Sequence, residues 1–280
     1  MTTICICGAG TMGSGIAQVA AAAGFTAILF DVSDVAIQKA EEKLQKDLGK
    51  LVEKGKMTAN QKQAILSNIR FTSQLQECRA DVIIEAIIEK PAIKISLFNQ
   101  LAHINSTSTV FASNTSSLSI TALAKEITNP QRVAGLHFFN PAPLMKLVEV
   151  VKGEQTSEEV MQQLIDLTKA LNKVPVVCKD SPGFIVNRVA RPYYIESLRL
   201  AEEGMASYEV IDRLLESQGF KMGPFKLMDL IGNDINYAVS CSVYDQLNQP
   251  DRLKPSYLQK EKVDNGELGK KAGKGYYDYS

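Results

Sequence analysis

The sequence predicts an α/β protein: a doubly wound, mostly parallel sheet followed by a second, all-helical domain. Three observations predict it. A glycine-rich turn joins an apolar, β-leaning run to an alanine-rich helical segment near the N-terminus. Strand-like runs then alternate with helical segments to about residue 180. Beyond Asp180-Ser181-Pro182-Gly183 no convincing strand recurs before the closing residues.

The first strand is Ile4-Cys5-Ile6-Cys7, which leads into Gly8-Ala9-Gly10-Thr11-Met12-Gly13 and a helix from Gly15 to Ala23. The second, Ala27-Ile28-Leu29-Phe30, ends on Asp31, eighteen residues past Gly13. In this pattern Gly8 makes the tight turn, Gly10 lets a pyrophosphate approach the backbone, and Gly13 packs helix on strand. Unpaired N–H groups at the helix start favour the phosphates. Asp31 is placed to accept both ribose hydroxyls and repels a 2′-phosphate, so the motif favours NAD over NADP. A lone glycine motif is an ordinary turn. With strand, helix and acid in register it predicts a Rossmann-type dinucleotide site.

A long amphipathic helix follows, about Asp34 to Lys54, with Ile37, Leu44, Leu48, Leu51 and Val52 on or near one face. After Gly55 comes a short helix near Ala59–Ser67. Further strands are expected at Ile69–Phe71, Asp81–Glu85, Thr109–Ala112, Arg132–Leu136, Lys146–Val151 and Pro175–Cys178, with helices at Ala92–His103 and Ser157–Leu171. Asp180 or Ser181 with Pro182 just inside reads as a helix start. Helices are then expected at Phe184–Glu203, stopped by Gly204, at Ser207–Ser217 and at Leu227–Tyr244. The chain so divides into a nucleotide-binding domain over 1–182 and a helical domain over 183–280.

Bulk properties exclude several classes. Lys+Arg and Asp+Glu are each 31, so no global basic field draws nucleic acid. Val82–Ile84 and Leu147–Val151 are far too short to span a bilayer. A strand starting by residue 4 leaves no room for a targeting peptide, and a cytoplasmic protein is expected. Five scattered cysteines, Cys5, Cys7, Cys78, Cys178 and Cys241, form no CxxC pair, so no metal site is expected. Cys5 and Cys7 read as small hydrophobes of a buried strand.

Two polar clusters fall at the carboxyl ends of expected strands, where open parallel sheets bind ligands. One is Ser113-Asn114-Thr115-Ser116-Ser117, the other His137-Phe138-Phe139-Asn140-Pro141. His103 reads as a solvated helix-end residue, whereas His137 terminates a buried strand among apolar neighbours. Glu149 interrupts Leu147-Val148-Glu149-Val150-Val151, a run otherwise suited to burial. A carboxylate there must be paired, and His137 on a neighbouring strand is the partner; the alternative is an outward-pointing edge residue. A carboxylate on one imidazole nitrogen sets the tautomer and leaves the other for proton transfer, as alcohol–ketone oxidation requires. The serine cluster is ambiguous, since most of these residues also make good N-caps. No GxSxG elbow supports a serine nucleophile.

With these residues assembled, the chain resembles the L-3-hydroxyacyl-CoA dehydrogenase family, in particular its bacterial 3-hydroxybutyryl-CoA members. The matching segments are Gly8–Gly13, Ala112–Leu118, Gly135–Pro141, Lys146–Val150, Pro182–Arg188, Met222-Gly223-Pro224 and Gly273–Tyr277. The resemblance implies that His137 is the catalytic base, Glu149 its partner, and Ser116 the contact to the substrate 3-oxygen. Ser116 is favoured over Ser117 by its place twenty-one residues before His137. Asn187 is implied to help hold substrate and cofactor, Glu89, Lys94, Ser116 and Asn140 to contact the cofactor, and Lys54, assisted by Lys50, to contact coenzyme A. The bland reading of both lysines is a solvated helix face. The family pattern further implies NAD(H), an acyl-CoA substrate, a homodimer through the helical domain, and closure about a link near 182. It also implies a single dehydrogenase unit without mitochondrial leader or fused hydratase. Two other classes stay open: a dehydrogenase of free β-hydroxyacids, which uses a lysine acid/base, and an idle NAD-binding relative, which would have lost one of the four site residues.

Overall fold

A computed structural model describes residues 2–279. The chain divides between Asp180 and Ser181 into two compact units. The first holds one eight-stranded sheet in the order β3-β2-β1-β4-β5-β6-β7-β8. Its strands are β1 (Thr3–Cys7), β2 (Thr26–Phe30), β3 (Ile69–Thr72), β4 (Val82–Glu85), β5 (Val110–Ser113), β6 (Val133–Phe138), β7 (Leu147–Lys152) and β8 (Val174–Lys179). All neighbours run parallel except β6 and β7. The helices are α1 (Thr11–Ala22), α2 (Asp34–Glu53), α3 (Ala59–Ser67), α4 (Pro91–Ile104), α5 (Ile120–Lys125) and α6 (Glu158–Ala170).

The central strands carry almost no polar residues because both faces are covered. Ile4, Ile6, Leu29, Ile83 and Ile84 are fully buried or nearly so. Cys5 and Cys7 lie in the same buried strand with sulfurs 3.9 Å apart, as small hydrophobes. Strand order reverses between β1 and β4, and a crevice opens past their carboxyl ends at such a switch point. Every strand expected from the sequence forms, with ends displaced by one or two residues.

The second unit is helical: α7 (Val186–Glu202), α8 (Tyr208–Ser217), α9 (Pro224–Ile231), α10 (Asn233–Gln246) and α11 (Tyr257–Asp264). Tyr194, Leu198, Ile211, Phe225, Met228 and Tyr276 form its main core. Three expectations are corrected here. The helix expected from Phe184 starts at Val186, because Gly183 and Phe184 turn at φ +72° and +49° first. Asp180 caps nothing on α7; its carboxylate accepts from Ser119 Oγ at 2.7 Å and Thr121 N–H at 2.8 Å. The single helix expected over Leu227–Tyr244 is two, broken at Gly232, whose φ of +104° no helix accommodates. No helix of the described residues is long and apolar enough to cross a membrane.

Candidate active site

A cleft of about 830 Å³ lies beyond β1, β2 and β4, lined by Gly8, Gly10, Asp31, Ala86, Ile87 and Ile93 among others. Two of the three glycines are required by the protein itself. A Cβ on Gly13 would stand 1.7 Å from the Gly8 carbonyl oxygen, and one on Gly8 would meet the Ala86 carbonyl at 2.6 Å. Gly10 differs, since a Cβ there would meet nothing within 4 Å. It would point into open space, where only a ligand benefits from its absence. No side chain caps α1, so its first N–H groups suit an anion. Asp31 is held at the turn, accepting from Ala9 N–H at 2.9 Å and Ser33 N–H at 3.0 Å. An uncapped helix start, an open Gly10 and an acid at the end of β2 fit a dinucleotide. Exposed Thr11 and Asn140 line one smaller groove, while Met12 packs on the sheet core.

His137 and Glu149 are direct register partners across the antiparallel β6–β7 pair. Residues opposite one another project to the same side, so the pairing places imidazole beside carboxylate. His137 Nδ1 and Glu149 Oε2 are 2.7 Å apart, with His137 6% exposed and Glu149 0%. At that burial the pair is scarcely screened by solvent. The Phe139 ring packs on the imidazole at 4.5 Å between centroids. β8, not β7, is the sheet edge, so the outward reading of Glu149 is overturned. The same charge reaches Cys178: burial, then Glu149, push this thiol up to about 12. His103, by contrast, is exposed late on α4, its Nδ1 2.6 Å from the Asn99 carbonyl.

The turn after β5 is built by its own polar residues. Thr115 Oγ1 accepts from Ser117 N–H at 3.2 Å and Leu118 N–H at 2.9 Å. The helix cap expected somewhere in residues 113–117 is supplied by Ser119, whose Oγ accepts from Ala122 N–H. Glu89 Oε1 accepts from Thr115 Oγ1 and, at 3.3 Å, from Ser116 N–H. Asn114 Oδ1 accepts from Phe138 N–H at 2.8 Å, joining this turn to the strand end that carries His137.

Lys94 is 1% exposed, and its Nζ donates to Glu85 Oε1 at 2.5 Å and pairs with Glu89 Oε2 at 2.9 Å. Glu85, fully buried, also accepts from Ser113 Oγ at 2.7 Å and Ile87 N–H at 2.8 Å. The sequence reading missed Glu85. Its signal was available: an acid closing the apolar run Val82-Ile83-Ile84, as Glu149 interrupts its own. Lys50 and Lys54 stand exposed at the end of α2, Lys50 4.0 Å from Asp47. Asn187 lies in the first turn of α7, half-buried, in the helical unit. Among the described residues no cluster of His, Cys, Asp and Glu could hold a metal.

Comparison with known proteins agrees over the whole chain. Residues 3–181 match the 3-hydroxyacyl-CoA dehydrogenase NAD binding domain, and 183–279 match that family's C-terminal domain. The chain is 50% identical over 279 residues to 3-hydroxyadipyl-CoA dehydrogenase of Escherichia coli K12, covering 99% of itself but only 59% of that protein. It is 42% identical to the mitochondrial hydroxyacyl-coenzyme A dehydrogenase of Sus scrofa, covering 90% of it. The crystal structure of (S)-3-hydroxybutyryl-CoA dehydrogenase from Ralstonia eutropha superposes with a TM-score of 0.95 at 38% identity, covering 100% of this chain and 99% of that one.

Proposed function

The chain belongs to the 3-hydroxyacyl-CoA dehydrogenase family, and we propose that it interconverts (S)-3-hydroxyacyl-CoA and 3-ketoacyl-CoA at His137. NAD(H) is the cofactor, in keeping with the match of residues 3–181 to an NAD binding domain. Bound NAD supplies the hydride acceptor. Everything else falls to the chain.

The observation that carries the reading is the His137–Glu149 pair, 2.7 Å apart and buried. With Nδ1–H donated to the carboxylate, Nε2 carries the lone pair and takes the proton from the substrate 3-hydroxyl. Glu149 then faces an imidazolium and stabilises it. In reduction the imidazolium returns the proton to the 3-oxygen. Ser116, its N–H anchored on Glu89, presents a hydroxyl to the same oxygen as charge develops. Asn187 helps hold substrate and cofactor, and Lys54, assisted by Lys50, contacts coenzyme A. Gly8, Gly10, Thr11, Met12, Gly13 and Asp31 hold the adenosine and pyrophosphate half, and Glu89, Lys94, Ser116 and Asn140 the nicotinamide half. Residues 1–182 are then the NAD-binding domain, which also carries His137, Ser116 and the coenzyme A lysines, and 183–280 the helical substrate and dimerisation domain.

3-Hydroxybutyryl-CoA is the first substrate to test; relatives are named for butyryl and adipyl chains, so the acyl end is the open part. A homodimer through the helical unit is part of the same reading; that unit exposes the apolar side chains Val189 (72%), Met205 (70%) and Leu214 (60%). Free cysteines and a thioester substrate fit a cytoplasmic enzyme. Acetoacetyl-CoA with NADH, followed by absorbance, is the direct assay. Turnover by the wild type and its loss by orders of magnitude in His137→Gln, with NADH binding retained, is the expected result. Near-normal turnover by His137→Gln refutes the assignment.

A further inference from the structure

Glu85 ends β4, with Cys7 of β1 and Ser113 of β5 as its register partners on either side. It stands where the strand order reverses, and the two residues after it, Ala86 and Ile87, line the cleft of about 830 Å³. Its side chain is fully buried and both oxygens are occupied. Oε1 accepts from Ile87 N–H at 2.8 Å and Lys94 Nζ at 2.5 Å, and Oε2 from Ser113 Oγ at 2.7 Å. One such carboxylate neutralises one lysine. Lys94 nevertheless meets a second, Glu89, whose Oε2 lies 2.9 Å from Nζ. Glu89 in turn gathers the turn after β5, accepting from Thr115 Oγ1, Ser116 N–H and Ser117 Oγ. Neither acid pairs with a second cation among the described residues. All of these residues belong to the first unit.

The triad sets two carboxylates against one ammonium, which leaves a surplus of one negative charge. At the Glu85 end burial keeps that charge from being screened by solvent, whereas Glu89 is 38% exposed. Asp31, just past β2, lies on the adenosine side of the cleft. A dinucleotide crossing the switch point therefore brings its other half past the ends of β4 and β5. NAD⁺ and NADH differ in charge only there: the oxidised ring is cationic and the reduced ring neutral. Surplus negative charge beside the ring favours the first and is indifferent to the second. Resting on the dehydrogenase reading, which sets Glu89 and Lys94 against the nicotinamide half, we propose that the Glu85–Lys94–Glu89 triad selects the oxidised cofactor over the reduced one. Glu85 is a positioning residue in this account. It touches no ligand; by engaging Lys94 from behind, it leaves the charge of Glu89 uncompensated. Tighter binding of NAD⁺ also draws the bound couple towards the oxidised side, the direction of ketone reduction.

The test measures Kd for NAD⁺, NADH and ADP-ribose by titration calorimetry on the full chain, as wild type and as Glu85→Gln. The amide keeps the volume and an oxygen for Ile87 N–H and Lys94, and Ser113 Oγ can accept from its NH₂; only the surplus charge is lost. Kd for NAD⁺ divided by Kd for NADH is expected to rise roughly tenfold, as removal of one unit charge at an effective dielectric of about 20 allows. ADP-ribose, which lacks the ring, should bind both proteins equally. Glu89→Gln removes the same charge from the exposed end and should move the ratio in the same direction. It decides the matter if Glu85→Gln does not fold. An unchanged or lowered ratio overturns the proposal, whether the two affinities hold or fall together. Glu85 would then merely tie β4 to β5 and α4. Failure of the wild type to bind either nicotinamide nucleotide would instead sink the dehydrogenase reading beneath it.

Discussion

Replacing Glu149 by Gln isolates what the buried charge contributes to turnover. The amide keeps the volume and one carbonyl oxygen, so His137 Nδ1–H still finds an acceptor at the position now 2.7 Å away. Only the negative charge facing the imidazolium is removed. Both side chains are at most 7% exposed, so water does not take its place. A hydrogen bond to a charged group is worth roughly 1.5–3 kcal/mol, and about 1.4 kcal/mol corresponds to tenfold in rate. Glu149→Gln should therefore lower kcat by roughly 10- to 100-fold. An effective-dielectric estimate of ~4 kcal/mol for unit charges at about 4 Å sets the ceiling. The assay is steady-state reduction of acetoacetyl-CoA, with NADH affinity measured separately by fluorescence titration. The loss should fall in kcat with NADH affinity unchanged, since Glu149 lies on β7 and lines no part of the Asp31 cleft. A fall of less than about threefold, or a loss that follows NADH affinity, would refute the account of the pair.

Gly10→Ala and Gly13→Ala should part company: the first leaves Tm nearly unchanged but weakens NADH binding at least tenfold. The second forces a Cβ to within 1.7 Å of the Gly8 carbonyl oxygen and should cost roughly 3 kcal/mol or more of stability. Calorimetry and NADH titration separate the two. Lys94→Met strands the buried Glu85 beside Glu89 and should cost about 3–5 kcal/mol, read as a lower urea midpoint. Cys178, its thiol pushed up to about 12, stays protonated below that pH. Its alkylation by iodoacetamide near neutrality should run roughly a thousandfold slower than that of free cysteine, and quicken as pH rises. Labelling at the free-thiol rate would contradict this.

What the sequence made legible was whatever a local pattern dictates. Period and turn chemistry located all eight strands, because each is a short apolar run and most are closed by Gly, Asp, Asn or Ser. Pairing of His137 with Glu149 was legible for the same reason: a buried strand cannot hold a lone acid. The helical unit was less legible. Leu227 to Tyr244 reads as one helix by pattern, and only the backbone angle at Gly232 divides it. The start of α7 moved because Gly183 and Phe184 turn before it, a feature no cap residue announces. Long-range polar links such as Asn114 to Phe138 N–H depend on the order of strands in the sheet, which no local pattern encodes.

Burial alone does not tell a chemical carboxylate from a structural one; under the proposed function the partner does. Asp212 and Asp229 are as buried as Glu149. Asp212 is surrounded by Phe225 N–H at 2.9 Å, Lys226 N–H at 3.0 Å and Tyr277 OH at 2.7 Å; Asp229 accepts from Tyr276 and Tyr277 N–H, each at 3.0 Å. Backbone N–H groups do not exchange charge with their acceptor, so these acids fasten the start of α9 and the closing segment to the helical core. Glu85 is met by a lysine, a serine and a backbone N–H, a set that fixes the β4 end rather than moving a proton. Glu149 instead meets an imidazole, the side chain whose ordinary range lies near neutrality. A proton gained at the far side of that ring changes the charge facing the carboxylate, and neither backbone nor lysine offers that at neutral pH. The acid in an apolar strand marks the place, and under the proposed function the titratable partner opposite it carries the role.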